Sequence, residues 1–263
     1  MTPTSFRDSA GLILENWRNG TRIDALPGNA TPQSRADGYA VQADLAGLSG
    51  QDVIGWKIAA TSTAGQKHIG VDGPLAGRLF ADHCYEDGST LPFGGNMMRV
   101  IEAEFAFVMA APLPPRRADY SRDEVLSAVD RLHLALEIPD SRFSDFARMG
   151  GPNLIADNAC AHDFVLGPVA PELWRELDLA THEVTLTLND TDRHPGVGAN
   201  VLGDPRIALT WLVNELSGIG LTLQAGQIVT TGTCIVPAPI APGDRVSADF
   251  GVLGQMTARF ADS

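Results

Sequence analysis

Three glutamates set among apolar residues are the part of this chain best suited to chemistry. Glu102 and Glu104 alternate with small and aromatic residues in Val100-Ile101-Glu102-Ala103-Glu104-Phe105-Ala106-Phe107-Val108. Glu137 stands in Leu136-Glu137-Ile138-Pro139-Asp140-Ser141-Arg142. On a strand, residues i and i+2 share a face, so Glu102 and Glu104 would project together. Buried carboxylates side by side are costly, and a divalent cation with oxygen ligands would stabilise all three. The competing reading is a solvated outer face of a half-exposed strand. The local pattern leaves both open.

Other residues could act beside such a cluster. Lys57, in Ile54-Gly55-Trp56-Lys57-Ile58, is either an ordinary exposed strand lysine or, next to a cation, a proton carrier with a shifted pKa. His68 would suit a proton shuttle near neutral pH, although a lone histidine is more often structural. Asp72, in Val71-Asp72-Gly73-Pro74, reads first as a turn residue and second as an acid near the site. Arg142 could neutralise the acids, meet a substrate, or form a scaffold ion pair with Asp140 or Asp145. Asp157-Asn158 could form a turn or orient metal ligands. Cys160 and Cys234 read as small apolar residues rather than nucleophiles, and His133, His162 and His182 as structural.

The elements that must position these groups follow from pattern. Ser9 to Trp17 supports a helix ending near Asn19-Gly20, and a Pro/Gly-rich connection from Leu26 to Thr31-Pro32 leads to a second helix over about 34–48. Val53 to Ala60 and Arg99 to Met109 read as strands. Ser121-Arg122-Asp123-Glu124 opens a helix expected to run to about Leu132. Leu134 to Ile138, His162 to Val169 and the alternating run 180–189 are further strands. Asp204-Pro205 opens a helix with an apolar stripe of Ile207, Leu209, Trp211, Leu212 and Leu216. Strands are expected at Gln227 to Thr231, Arg245 to Leu253 and Gln255 to Phe260, the first two separated by Ala241-Pro242-Gly243-Asp244. Strands outnumber helices without regular alternation, so the class is α+β with mixed sheets. Residues 1–50 read as a helical cap segment and 51–263 as a β-rich catalytic body, one structural domain overall.

Composition narrows the function. The 263 residues are 44% hydrophobic and carry a net charge of −13, which argues against a nucleic-acid partner. Three scattered cysteines suggest a reducing compartment without disulfides, and no N-terminal signal or membrane-length apolar run is visible. The expectation is a cytoplasmic protein with no membrane partner.

The chain resembles the fumarylacetoacetate hydrolase superfamily, in its branch of 2-oxopent-4-enoate hydratases and 4-oxalocrotonate decarboxylases. The resemblance is carried by Gly55-Trp56-Lys57-Ile58-Ala59-Ala60-Thr61-Ser62, Ile69-Gly70-Val71-Asp72, Glu102 to Val108 and Ala135 to Arg142. Ile155 to Ala159 and Gly226 to Thr233 extend it, so that it spans about residues 50–260 in order. It implies rolled mixed β-sheets and a divalent metal, Mg2+ or Mn2+, held by Glu102, Glu104 and Glu137. It also implies a 2-oxo or 2-enol acid substrate, Lys57 in the active site, and Thr231-Gly232-Thr233 as a turn holding the substrate carboxylate.

Such a site supports hydration of a 2-hydroxy-2,4-dienoate or 2-oxo-enoate, the leading expectation. The alternatives are decarboxylation of a 2-oxo-3-enedioate, acylpyruvate-type C–C hydrolysis with His68 as a candidate base, and a non-catalytic metal-binding partner subunit. A dianionic substrate needs a second cationic contact, for which Arg78, Arg142 and Arg148 are candidates. A homo-oligomer, and association with a related pathway enzyme, are also expected. Many hydratases carry an acid where this chain has Leu75, which sets this chain apart.

Overall fold

The computed structural model describes residues 5–26 and 28–262, so the polar start at residues 1–4 and Pro27 of the Pro/Gly-rich connection lie outside the described residues. In chain order the elements are α1 (Phe6–Asn19), α2 (Arg35–Ser49), β1 (Val53–Ala59), α3 (Thr63–Ile69), β2 (Leu75–Phe80), β3 (Cys84–Glu86), β4 (Thr90–Leu91), β5 (Val100–Met109) and α4 (Arg122–Ser127). There follow β6 (Val129–Ile138), α5 (Gly150–Ala156), β7 (Asp163–Val169), β8 (Glu183–Leu188), β9 (Asp192–Val197) and α6 (Pro205–Gly218). The chain ends with β10 (Ile228–Thr233), β11 (Ala238–Pro239), β12 (Arg245–Asp249) and β13 (Gln255–Phe260).

Both N-terminal helices start on a capping box, Ser5 with Asp8 and Ser34 with Asp37, which satisfies amide donors that have no helical acceptor. Both stop at a left-handed glycine, Gly20 and Gly50. Their apolar faces, with Ile13, Leu14, Val41 and Leu45, close over Phe143 and Ala156 to form a small core of their own.

Two mixed sheets make up the rest. The larger runs β2-β1-β10-β5-β6-β7-β3, with β11 also on β5, and the smaller runs β4-β13-β12-β8-β9. The expected α+β class with mixed sheets and a helical N-terminal region is what the chain adopts. Strand β5 is buried on both faces. Ile101, Ala103, Phe105 and Phe107 join the main core with Leu186, Val246 and Met256 of the smaller sheet, while Ala106 and Val108 pack with Leu79, Phe164 and Ile228. The run around the glutamates is therefore not a solvated outer face.

Several elements differ from the sequence expectation. The helix opened by Ser121 stops at Ser127 instead of reaching Leu132, because Val129 already begins β6. Pairing of β6 along β5, from Met109↔Val129 to Glu102↔Glu137, takes those residues into the sheet. Of the expected stripe on α6, Leu209, Leu212 and Leu216 are buried together with Ala208 and Val213, while Ile207 is 44% exposed. The strand from Arg245 ends at Asp249. Thr231-Gly232-Thr233 is not a turn: it lies in β10, whose register on β5 slips between Thr230 and Thr233.

Candidate active site

Strand pairing assembles the acids. Glu102 of β5 sits directly opposite Glu137 of β6, with Glu104 two residues along the same face of β5. Ligand oxygens of the three lie within 4.8 Å of one another. Like charges opposed across strands are unfavourable, and burial removes the water that would screen them. The Glu102 carboxyl is accordingly pushed up to about 7, by burial first and the Glu137 charge second, against the pull of Lys57. Glu104 is pushed well above its ordinary range by burial, then by the charges of Glu137 and Glu102.

The partners of these carboxylates are few. Glu104 Oε2 accepts hydrogen bonds from Thr230 Oγ1 and, at 2.7 Å, from the Gly232 amide. Among the described residues its Oε1 has no hydrogen-bond donor, and neither has Glu137 Oε2. Glu137 Oε1 meets only the ammonium of Lys57 among the described residues, at 2.8 Å. Buried acceptors without donors are rare in folded proteins and call for a missing partner. An all-oxygen donor set with orphaned carboxylate oxygens fits a hard divalent cation such as Mg2+ or Mn2+.

Lys57 reaches this cluster from β1, across β10, where it pairs with Thr230. It is buried, and Nζ also donates to the Ala159 carbonyl at 3.1 Å. Burial opposes its charge, but Glu137 and Glu102 outweigh that and raise its pKa above the ordinary 10.5. The group is therefore a firmly held ammonium. The carbonyl it meets belongs to Asn158-Ala159-Cys160, three successive non-glycine residues with φ of 54°, 52° and 60°. Left-handed conformation costs such residues roughly 1–2 kcal/mol each. Asn158 braces the stretch by bonding both the amide (2.7 Å) and the carbonyl (2.8 Å) of Arg78.

A cavity of about 630 Å³ opens onto Lys57 and Glu102. Its walls are mostly apolar, with Ile58, Leu75, Val100, Phe146, Leu154 and Val236 among them. Gly232 and Thr233 line it as well. Gly232 has φ of +103°, and a Cβ there would lie 2.2 Å from Thr61 Oγ1, so only glycine fits.

The other expected site residues divide. His68 lines the cavity from α3, near Phe146. Asp72 is exposed in a bend and lies outside the cavity lining, as the turn reading had it. Thr231 is buried and donates to the Phe105 carbonyl at 3.0 Å; it is Thr230, passed over in the sequence, that bonds Glu104. Arg142 is committed to the scaffold, but with neither Asp140 nor Asp145. Its Nε meets Asp157 Oδ1 at 2.5 Å, and Nη1 donates to the Asp140 and Ala161 carbonyls. Arg78 is buried against Gln42 and the Trp56 ring, and Arg148 is exposed beside Asp145. None of these arginines lines the cavity. The Cys160 thiol, on the cavity wall, is pushed up to about 12, chiefly by burial, and stays protonated.

Residues 86–261 match the fumarylacetoacetate (FAA) hydrolase C-terminal family. The chain belongs to the fumarylacetoacetate hydrolase family. It is 32% identical to 2-keto-4-pentenoate hydratase of Paraburkholderia xenovorans over 99% of this chain and 96% of that one. It is also 32% identical to 4-oxalocrotonate decarboxylase of a Pseudomonas species, covering 99% and 100%. Among solved structures it resembles 4-oxalocrotonate decarboxylase of Pseudomonas putida G7 complexed with magnesium and adipate. That likeness has a TM-score of 0.87 and 30% identity over 97% of each chain.

Within this fumarylacetoacetate hydrolase fold, the sequence reading passed over Thr61, Thr230 and the Ala159 carbonyl. Thr230 stands beside the Thr231-Gly232-Thr233 that was singled out, but its pairing with Lys57 depends on strand order, which is not written locally. The Ala159 carbonyl was not legible, because no residue type announces a left-handed alanine.

Proposed function

We propose that this chain is a metal-dependent lyase of the hydratase type. It converts a 2-hydroxy-2,4-dienoate, through its 2-oxo-enoate tautomer, to a 4-hydroxy-2-oxo acid in catabolism of aromatic-type compounds. The observation that carries the reading is the trio of half-buried Glu102 with buried Glu104 and Glu137, the last two with oxygens that accept no hydrogen bond from the described residues, beside the Lys57 ammonium, where Lys57 and Glu102 line an apolar cavity. A divalent ion held by the trio would supply Lewis-acid charge to the 2-oxo acid head.

The chain's own groups account for the rest. Lys57 Nζ keeps its proton and presents positive charge where the enol oxygen becomes a carbonyl. The dienol gains a proton at its terminal carbon as its 2-hydroxyl loses one. Water then adds its hydroxyl at the fourth carbon and a proton at the third. The titratable side chains lining the cavity are Lys57, His68, Glu102 and Cys160. Lys57 and Cys160 are held protonated and Glu102 is assigned to the cation, so His68 is the group left to handle the water proton. The apolar walls favour a monocarboxylic substrate, since a distal carboxylate would find no arginine there.

The second reading, decarboxylation of a 2-oxo-3-enedioate, is favoured by the close likeness to the decarboxylase solved with magnesium and adipate. The deciding experiment incubates the protein with Mg2+ or Mn2+ and a panel of 2-hydroxydienoates and 2-oxo-enedioates. Absorbance of the conjugated system and carbon dioxide are followed in parallel. Hydration predicts loss of absorbance without carbon dioxide; carbon dioxide from the enedioates favours the second reading, and no reaction on any member rejects both. The same reading carries the expectation of a cytoplasmic homo-oligomer able to associate with a related pathway enzyme.

A further inference from the structure

A second group of metal-binding side chains lies apart from the glutamates. His83 follows β2, and His162 and Asp163 stand at the start of β7. Asp163 pairs with Ile138, one step along β6 from Glu137, so strand alternation sends the two acids to opposite faces of the sheet. His83 Nδ1 lies 2.9 Å from Asp163 Oδ1, and His162 Nε2 lies 3.8 Å from Asp163 Oδ2. Nitrogen and oxygen ligand atoms of the three lie within 4.8 Å of one another.

A His–Asp hydrogen bond accounts for His83 and one oxygen only. His162 is brought to the other oxygen at a distance too long for a hydrogen bond, and its buried Nδ1 has no partner among the described residues. Arg142, whose guanidinium lies over the same Trp17 ring, is already paired with Asp157. Trp17 packs on both imidazoles, with ring centroids 5.1 Å from His83 and 5.9 Å from His162. The His83 and His162 side chains keep 23% and 21% of their surface exposed, which leaves an ion a path from solvent.

We propose that His83, His162 and Asp163 form a second metal site, for a borderline divalent transition ion such as Zn2+, Co2+ or Ni2+. Two imidazoles and one carboxylate are the donors such ions take, whereas the all-oxygen trio suits Mg2+ or Mn2+. Tetrahedral ligands at about 2.0 Å from zinc are about 3.3 Å apart, between the two spacings observed here. A coordinated ion would tie the loop after β2 to the start of β7 beneath Trp17 of α1, away from the cavity.

The test uses the whole protein in excess Mg2+, with Zn2+ titrated by calorimetry and Co2+ by visible absorption and tryptophan quenching. The expected result is one equivalent of transition ion beyond the glutamate trio, with quenching lost in Trp17→Phe. Glu104→Gln should retain that equivalent. His83→Ala and His162→Ala should weaken it by more than about tenfold, the smallest loss seen when even an outer partner of a metal ligand is removed. The milder His83→Gln guards against misfolding, checked by circular dichroism, and should leave dienoate turnover unchanged. Absence of a second equivalent in the wild type, or its persistence in both histidine variants, would overturn the assignment. Either outcome is independent of whether the glutamate site hydrates dienoates.

Discussion

Glu104 and Lys57 sit in one cluster, yet their removal separates metal from chemistry. Glu104→Gln removes a charge from the cation site, so metal affinity and turnover should fall together, turnover by about a hundredfold or more. Unchanged turnover with metal affinity abolished would sink the mechanism. Lys57→Met should leave Mg2+ binding intact by calorimetry while turnover drops by about 10² to 10³. The pH dependence follows from Glu102. Its carboxyl moves from the ordinary 4.5 to about 7 on folding, so the metal-free folded protein holds more protons than the unfolded chain between those values. That contribution is fully present below about 4.5 and is lost as pH rises through about 7. The melting-temperature gain from Mg2+ over EDTA should therefore grow across this window; a pH-independent gain would contradict the assignment. The glutamates were legible because strand alternation and a tight apolar context speak for themselves. Arg142 was not, because its partner, Asp157, is fifteen residues away and only the fold brings them together.

The loop that carries Asp157 to Cys160 shows how an element can be built from interactions its own sequence does not announce. Arg142 binds the Asp157 side chain and carbonyl, Ser141 Oγ donates to Asp157 at 2.6 Å, and Asn158 fastens the next residue to β2. These contacts hold the left-handed residues that put the Ala159 carbonyl on Lys57. Asp157→Asn removes the charge opposite a buried arginine and should cost roughly 3–5 kcal/mol in chemical denaturation, the usual loss on breaking a buried pair. A loss below 1 kcal/mol would show that the pair does not hold the loop. At this scale the sequence was read well where caps were local, as at Gly20 and Asp204, whereas the Ser5 cap that starts α1 ahead of Ser9 was missed. It was misread at Ser121, where a sound capping box opens α4 but says nothing of where the sheet reclaims the chain.

For the molecule as a whole, the α+β class was readable from the irregular succession of strands and helices, but strand order was not. Nothing local tells β10 to enter between β1 and β5, parallel to one and antiparallel to the other. If the trio holds a cation as proposed, only the folded chain would bind it, and Mg2+ at a hundred times its dissociation constant should add about 2.7 kcal/mol to stability. Glu104→Gln should abolish most of that gain in thermal melts. The placement of β10 also sets an order in time. A ribosome has already made Lys57, all three glutamates and most of both sheets before Ile228 is added, yet β1 and β5 have no strand between them until then. A nascent chain halted at residue 226 would carry the acids and the lysine without the Thr230 hydroxyl and Gly232 amide that hold Glu104. The proposed metal centre would thus be among the last features of this protein to come into being, and an unfinished chain would lack it.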